Sequence, residues 1–288
     1  GRLAPGQAYK LWAKAENGTL PRFAPAEIET ADLTGLALEL AVWGAPPEDL
    51  PFLSPPAPAA LSEAQQLLQR LGALTPDLRI TEHGRHLARL PLHPRLGHML
   101  QRAGPQASEI AAILNTRDPL SRGAGSDLSL RIRALRDGRL PKEVKSQLKQ
   151  ETTRLQKLAS HNSSEALSLG AMVALAYPDR IGQRRKGDAP RYVLSGGKGA
   201  ALTEGDALSG APFIVVSDTD GNPREAQIRQ AVQIGLDEIR TRHHADQRHA
   251  RDVAQRSKFS GGKDRLDVGI ATGGAKCGHL IIESLPIT

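Results

Sequence analysis

The stretch Leu87-Ala-Arg-Leu-Pro-Leu-His-Pro-Arg-Leu96, running on into Gly97-His-Met-Leu100, divides the chain into two kinds of pattern. Pro91 and Pro94 interrupt any continuous helix, because proline lacks the backbone N–H and clashes with the preceding turn. The leucines on both sides predict that this joint is a buried connection between two domains. His93 and His98 lie within it. No acidic residue stands near them in sequence, so both are expected to be structural histidines rather than catalytic ones.

On the N-terminal side of the joint, Leu33, Leu36, Ala37, Leu40 and Ala41 fall at helical spacing, and Gly44 with Pro46-Pro47 ends that helix. Pro51 to Pro58 is too rich in proline to be helical. Ser62 is expected to start a second helix, with Gln65 three residues on as a capping box. Its buried stripe is Ala64, Leu67, Leu68 and Leu71, and Gly72 closes it. Leu74 to Ile80 holds a short strand, and Thr81 caps a third helix running to Leu90. Helix, helix, short strand and helix is the pattern of a winged helix.

On the C-terminal side, from Pro94 to about Ala176, apolar stripes repeat at helical spacing and predict a helical bundle. Among them are Leu96, Met99 and Leu100, then Leu128, Ile132 and Leu135, then Val144, Leu148, Leu155 and Leu158. The rhythm changes at Tyr177-Pro178. Short runs at 191–194, 200–203, 213–217 and 226–234, punctuated by Gly196-Gly197, Gly205, Gly210 and Asp220-Gly221, predict a small antiparallel barrel or sandwich. The fold class is therefore multi-domain α+β: winged helix, helical bundle and small β domain.

Composition limits the function classes. No apolar run in the 288 residues reaches the ~20 needed to cross a bilayer as a helix. The single cysteine, Cys277, excludes an intrachain disulfide and any zinc site built on several cysteines, and suits a reducing, cytoplasmic setting. Lys and Arg exceed Asp and Glu by 38 to 31, a net charge of +7, which points to a polyanionic partner. Only 4 Phe, 2 Trp and 3 Tyr are present, which argues against a surface of base-stacking platforms.

Candidate chemistry is sparse. Ser195-Gly-Gly-Lys-Gly199 is glycine-rich but lies between two strand-like runs, so it reads as a hairpin turn and not as a phosphate loop, which needs a helix behind it. His243, His244, His249 and Asp246 cluster in a wholly polar segment without an apolar stripe to hold ligand geometry, so no metal site is expected. No G-x-S-x-G elbow occurs, and Cys277 lacks a local catalytic signature. The basic residues say more. From Arg131 to Lys157 nine basic residues, Arg131 and Arg133 first among them, face three acidic ones, and Arg180, Arg184, Arg185 and Lys186 follow. Such a series can bind nucleic acid through its phosphates without reading sequence.

Several strings resemble the HrpB-type bacterial helicases, relatives of the DEAH-box helicases. Pro25-Ala-Glu-Ile28 and Ala31 to Gly44 resemble the start of that family's winged helix. Leu53-Ser-Pro-Pro56, Leu67 to Leu74 and Ile80-Thr-Glu-His-Gly-Arg85 continue the likeness, which is closest at Leu87 to Leu96. Arg117-Asp-Pro-Leu120 and Asp127 to Arg131 are similar to the following helical region. Leu175 to Ile181 and Arg191 to Ala200 are similar to its OB-like segment. The likeness extends over about 1–236.

The resemblance implies that residues 1–24 end a second RecA-like domain, 25–94 form the winged helix, 95–176 a ratchet-like bundle and 177–239 an OB-like domain. The tail, 240–288, departs from the family. Gly1-Arg2 resembles the end of the motif that carries the family's arginine finger, which would make Arg2 a catalytic residue in an intact helicase. The Walker A loop and the DExH box are absent from this sequence. ATP and Mg would thus belong to RecA-like domains lying upstream in the same polypeptide, and this chain by itself is expected to bind neither. Its expected role is that of an accessory region holding single-stranded RNA or DNA, with Arg117, Arg131, Arg133, Arg180, Arg184, Arg185 and Lys186 as contacts. The alternative is a winged-helix regulator with a β sensor domain, which would read duplex DNA with sequence preference.

Overall fold

The computed structural model describes residues 3–7, 9–20, 23–121, 123–160, 166–222 and 225–241. Arg2, the histidine cluster at 243–249, Cys277 and the tail beyond 241 lie outside the described residues.

Among the described residues of 3–20, Lys14–Gly18 make a 3-10 turn and none is buried. A short α1 (Glu27–Thr30) leads into α2 (Thr34–Trp43), which ends at Gly44 in the left-handed region at φ 70°. Just before α2, the Asp32 carboxylate accepts hydrogen bonds from the Thr34 N–H and hydroxyl. The next helix, α3 (Pro58–Arg70), starts four residues before Ser62, because Pro58 occupies the first turn, where no N–H is required. Leu74 and Ile80 pair in a single antiparallel bridge, and the Thr81 hydroxyl caps α4 (Glu82–Ala88) by accepting from the Gly84 N–H at 2.9 Å. A Cβ at Gly84 would collide with the Ala73 carbonyl oxygen, so glycine lets α4 lie against the bridge. Leu33, Ala37, Leu38, Leu61, Ala64, Leu68 and Leu87 are part of the core of this region.

Past the joint come α5 (Pro94–Ala103), α6 (Ser108–Leu114), α7 (Leu128–Arg136), α8 (Lys142–Leu158) and α9 (Leu169–Ala176). The stripes read from the sequence are buried: Leu100, Leu128, Leu148 and Leu155 are all within 1% of full burial. Five strands follow: β1 (Ile181–Arg184), β2 (Arg191–Leu194), β3 (Gly199–Ala201), β4 (Phe213–Thr219) and β5 (Ala226–Gln233). They close into a barrel of order β1-β2-β3-β5-β4, antiparallel except where β3 meets β5. A five-stranded closed barrel of this size fits an OB-like fold. Tyr192 fills it, fully buried, with its hydroxyl 2.9 Å from the Leu208 carbonyl and 3.0 Å from that of Ala211.

The helices and the barrel are not separate bodies. Val215, Val232 and Ile234 of the barrel belong to the same buried cluster as Met99, Leu128, Val173 and Ala174. A Cβ on Gly170 would run into the Gln233 carbonyl, so α9 approaches β5 as closely as backbone allows. The α2–α4 region, in contrast, keeps a cluster of its own.

Candidate nucleic-acid interface

After α6 the described residues 116–121 and 123–127 form an irregular loop, built around one buried arginine. Arg131, on α7, is 3% exposed. Its guanidinium donates to the Asp118 carboxylate at 2.7 Å, to the Gly125 carbonyl at 2.5 Å and to the Asp127 carbonyl at 3.1 Å. Asp118 in turn accepts from the Leu120 N–H at 3.0 Å, fixing the turn that follows it. The far end of the loop is stitched to the barrel. Ser126 donates through N–H and hydroxyl to Asp206, both at 2.9 Å, and accepts from the Ala231 N–H at 2.9 Å.

That scaffold leaves a groove of about 430 Å³ between the loop and α8. Leu120, Val144 and Leu148 give it an apolar floor, while Arg117, Ser121 and Gln147 stand exposed on its rim beside Asp118, whose carboxylate is paired with Arg131. Such a surface can receive a flat apolar group on the floor and an anion at the rim.

The seven cations expected to bind nucleic acid divide in two. Arg117, Arg133, Arg185 and Lys186 are exposed, Arg133 with 63% of its side chain open to solvent. Arg185 and Lys186 lie on the β1–β2 hairpin. The other three make hydrogen bonds within the fold, Arg131 buried and Arg180 and Arg184 half-buried. Arg131 is the loop's internal brace. Arg180 lies over the Tyr177 ring at 5.4 Å and donates to the Ser217 carbonyl at 3.3 Å. Arg184 donates to the carbonyls of Ser209 at 2.8 Å and Asp188 at 3.3 Å. Charge counting along the sequence finds arginines but not the distant acceptors that occupy them. The groove itself escaped notice because Val144 and Leu148 read only as core stripe. The sign that was available is Asp118 beside Pro119, a turn signal flanked by a cation.

The Ser195–Gly199 segment is the β2–β3 turn. The Gly196 N–H is taken by the Asp179 carbonyl, the Gly197 N–H by that of Leu194, and the Lys198 ammonium lies 3.5 Å from Glu63. With those amides engaged, the turn does not fit a nucleotide phosphate. Among the described residues no group of three or more His, Cys, Asp or Glu is placed to hold a metal ion, and no helix is long and apolar enough to cross a membrane.

The joint at 87–100 brings the remaining polar groups together. The His93 Nδ1 accepts from the Arg95 N–H at 3.2 Å, capping α5, and its Nε2 lies 3.5 Å from Asp32. The Asp32 carboxyl is held far below the usual range, chiefly by His93, with the Thr34 hydroxyl and N–H adding to it against the opposing effect of burial. The acid missing from the neighbourhood of His93 in sequence is thus supplied by the start of α2. Arg95 is 6% exposed and grips Asp179 through two bonds of 2.5 and 2.9 Å, while donating to the Ala176 carbonyl at 3.1 Å. Burial alone would raise the Asp179 carboxyl, but Arg95 and then Arg180 outweigh it and lower it. Burial pushes the Tyr177 phenol upward, against the lowering effect of the same two arginines over its ring. His83 on α4 and His98 on α5 meet through Nε2 and Nδ1 at 2.8 Å, with ring planes 81° apart.

Comparison with known proteins places this arrangement. Residues 64–92 match the family described as Helicase associated domain (HA2), winged-helix. The chain is 33% identical over 250 residues to the ATP-dependent RNA helicase HrpB of Escherichia coli strain K12, an alignment covering 83% of this chain and 29% of HrpB. It is 33% identical over 135 residues to the probable ATP-dependent RNA helicase DHX34 of Mus musculus, covering 44% of this chain and 12% of that protein. The crystal structure of the E. coli DExH-box NTPase HrpB superposes with a TM-score of 0.64 at 32% identity, over 84% of this chain and 30% of that one. The chain spans less than a third of the length of these relatives.

Proposed function

We propose, from the premise that the chain belongs to the HrpB-type family of DExH/DEAH-box helicases and corresponds to their C-terminal region, that it is the accessory part of an ATP-dependent helicase and holds single-stranded nucleic acid. In this reading 25–94 is the winged helix, 95–176 the ratchet-like bundle and 177–239 the OB-like domain. Residues 1–24 complete a RecA-like domain lying upstream in the same polypeptide, and Arg2 is its arginine finger. ATP and Mg are bound and used there. A positioned guanidinium of that kind stabilises the charge that develops on a transferred phosphoryl group.

The observation that carries the reading is the groove beside α8, with its apolar floor and the exposed Arg117 on its rim. Arg133, Arg185 and Lys186 extend the cationic surface. A strand held through its phosphates needs no base-specific contacts and can be passed along whatever its sequence. The scarcity of aromatic residues in the chain agrees with that mode.

Fluorescence anisotropy with a labelled single strand tests this. If these four cations each neutralise one phosphate, the log–log salt slope is about −0.7 per contact, so affinity falls about 50-fold between 50 and 200 mM salt. Replacing Arg117, Arg133, Arg185 and Lys186 together by alanine should flatten that dependence, while the fold, followed by circular dichroism, stays unchanged. No binding at low salt, or binding indifferent to salt, defeats the proposal. Tight, sequence-selective binding to a duplex supports the regulator instead. The chain alone should not turn over ATP, and sustained turnover would overturn the assignment of ATP to an upstream domain.

A further inference from the structure

The two kinds of joint in this molecule differ in what would happen if they were strained. Barrel and helices share one buried cluster, and the Arg95–Asp179 pair also joins them. The α2–α4 region has a separate cluster. Among the described residues, three polar contacts join it to the rest. Two lie at the start of α5: His93 with Asp32, and His98 with His83. Beside them Leu87 and Leu90 ride over Gly97, where a Cβ would stand 3.4 and 3.3 Å from their methyl groups. The third lies away from the joint, where the β2–β3 turn reaches α3 and Lys198 sits 3.5 Å from Glu63, both side chains 69% exposed.

We infer that the winged-helix region turns as one body against a rigid frame of helices plus barrel. The axle is the start of α5, and Lys198–Glu63 is a clasp that holds the region closed. The physical reasons are three. A region with its own core can reorient without exposing that core. The small residue Gly97 leaves a smooth contact for Leu87 and Leu90. An exposed ion pair is weak and screened by salt, so the clasp opens readily. When it opens, α3 moves away from the barrel, and Lys198 joins Arg185 and Lys186 as an exposed barrel cation instead of facing Glu63.

The test measures distances within the whole chain by pulsed electron spin resonance, with Cys277→Ser to remove the native thiol. One spin-label pair, Gln66→Cys with Asp188→Cys, spans winged helix and barrel. A second, Gln150→Cys with Asp188→Cys, lies within the frame. No nucleic acid is added, so the outcome is independent of the function proposed above. Raising salt from 50 to 500 mM should broaden and lengthen the first distribution and leave the second unchanged. Lys198→Glu should do the same at low salt, shifting the closed-to-open ratio roughly 1.5- to 5-fold. The swap Lys198→Glu with Glu63→Lys should restore the narrow distribution. The inference is overturned if the first distance stays as narrow as the second under all these conditions. It is overturned equally if both broaden together, or if the swap fails to restore what Lys198→Glu disturbs.

Discussion

Two junctions meet at α5, and they are built on opposite principles. Toward the barrel, the first turn of α5 buries Arg95 against a half-buried partner. There Asp179, the Ala176 carbonyl and the Tyr177 ring surround its guanidinium. Toward the winged helix, the same turn offers His93, a third of whose side chain is exposed, to Asp32, which is nearly half exposed. The contrast teaches that the surroundings, and not the count of ionic contacts, decide what a junction can do. A charge buried between bodies that share a core must keep its partner, because no water can replace it. A pair at the surface can be exchanged for water at small cost, which leaves its two bodies free to move.

Breaking the buried junction should have the largest effect. Asp179→Ala strands the Arg95 guanidinium and should destabilise the chain by about 3–5 kcal/mol in urea titration. Arg95→Met with Asp179→Leu should recover most of that loss, since an apolar pair of similar volume leaves no buried charge. A loss under 1 kcal/mol for Asp179→Ala would erase the distinction between the junctions. Next comes Gly170→Ala, which forces α9 away from the Gln233 carbonyl and should cost about 1–3 kcal/mol by overpacking. The smallest effect belongs to the exposed junction. Asp32→Ala removes the acceptor of the first α2 N–H and the partner of His93 and should cost about 1 kcal/mol. The Asp32 carboxyl is lowered in the folded chain, so its contribution is complete above the unfolded carboxyl range, about pH 4, and is lost as pH falls below that. The stability difference between the native chain and Asp32→Ala should therefore shrink only in strong acid. A difference that vanished already at pH 6 would place the stabilisation on another group.

Much of this was legible in the sequence. The Thr81 cap, the Gly44 and Gly72 helix ends, the buried Leu148 and Leu155 and the turn at Ser195–Gly199 follow from local rules, and local rules act between near neighbours. What escaped depends on distance along the chain. Strand β1 has one large apolar residue, Ile181, and a glycine, Gly182, whose place is set by Leu194, Tyr192 and Ile214 packing around it. The role of Arg131 depends on Asp118 and on a loop that has no periodicity. Arg95 carried a readable sign, a charge in an otherwise apolar run, but the acid that answers it lies across the fold in the connection to the barrel. The groove depends on where a loop and a helix leave a gap, and no residue pattern encodes a gap.

The Arg95–Asp179 pair also bears on the order in which the chain assembles. Its partners are 84 residues apart, whereas the caps and bridge of the winged-helix region join residues within nine positions of each other. Closing a loop of that size imposes an entropic penalty of about 4 kcal/mol beyond a constant, and the contact returns nothing until both ends have met. The winged-helix region, whose core closes over the shorter span from Leu33 to Leu87, can form earlier as the chain leaves the ribosome. The frame, which depends on this long closure, should be the slow-folding half of the molecule, completed only when the barrel strands have emerged.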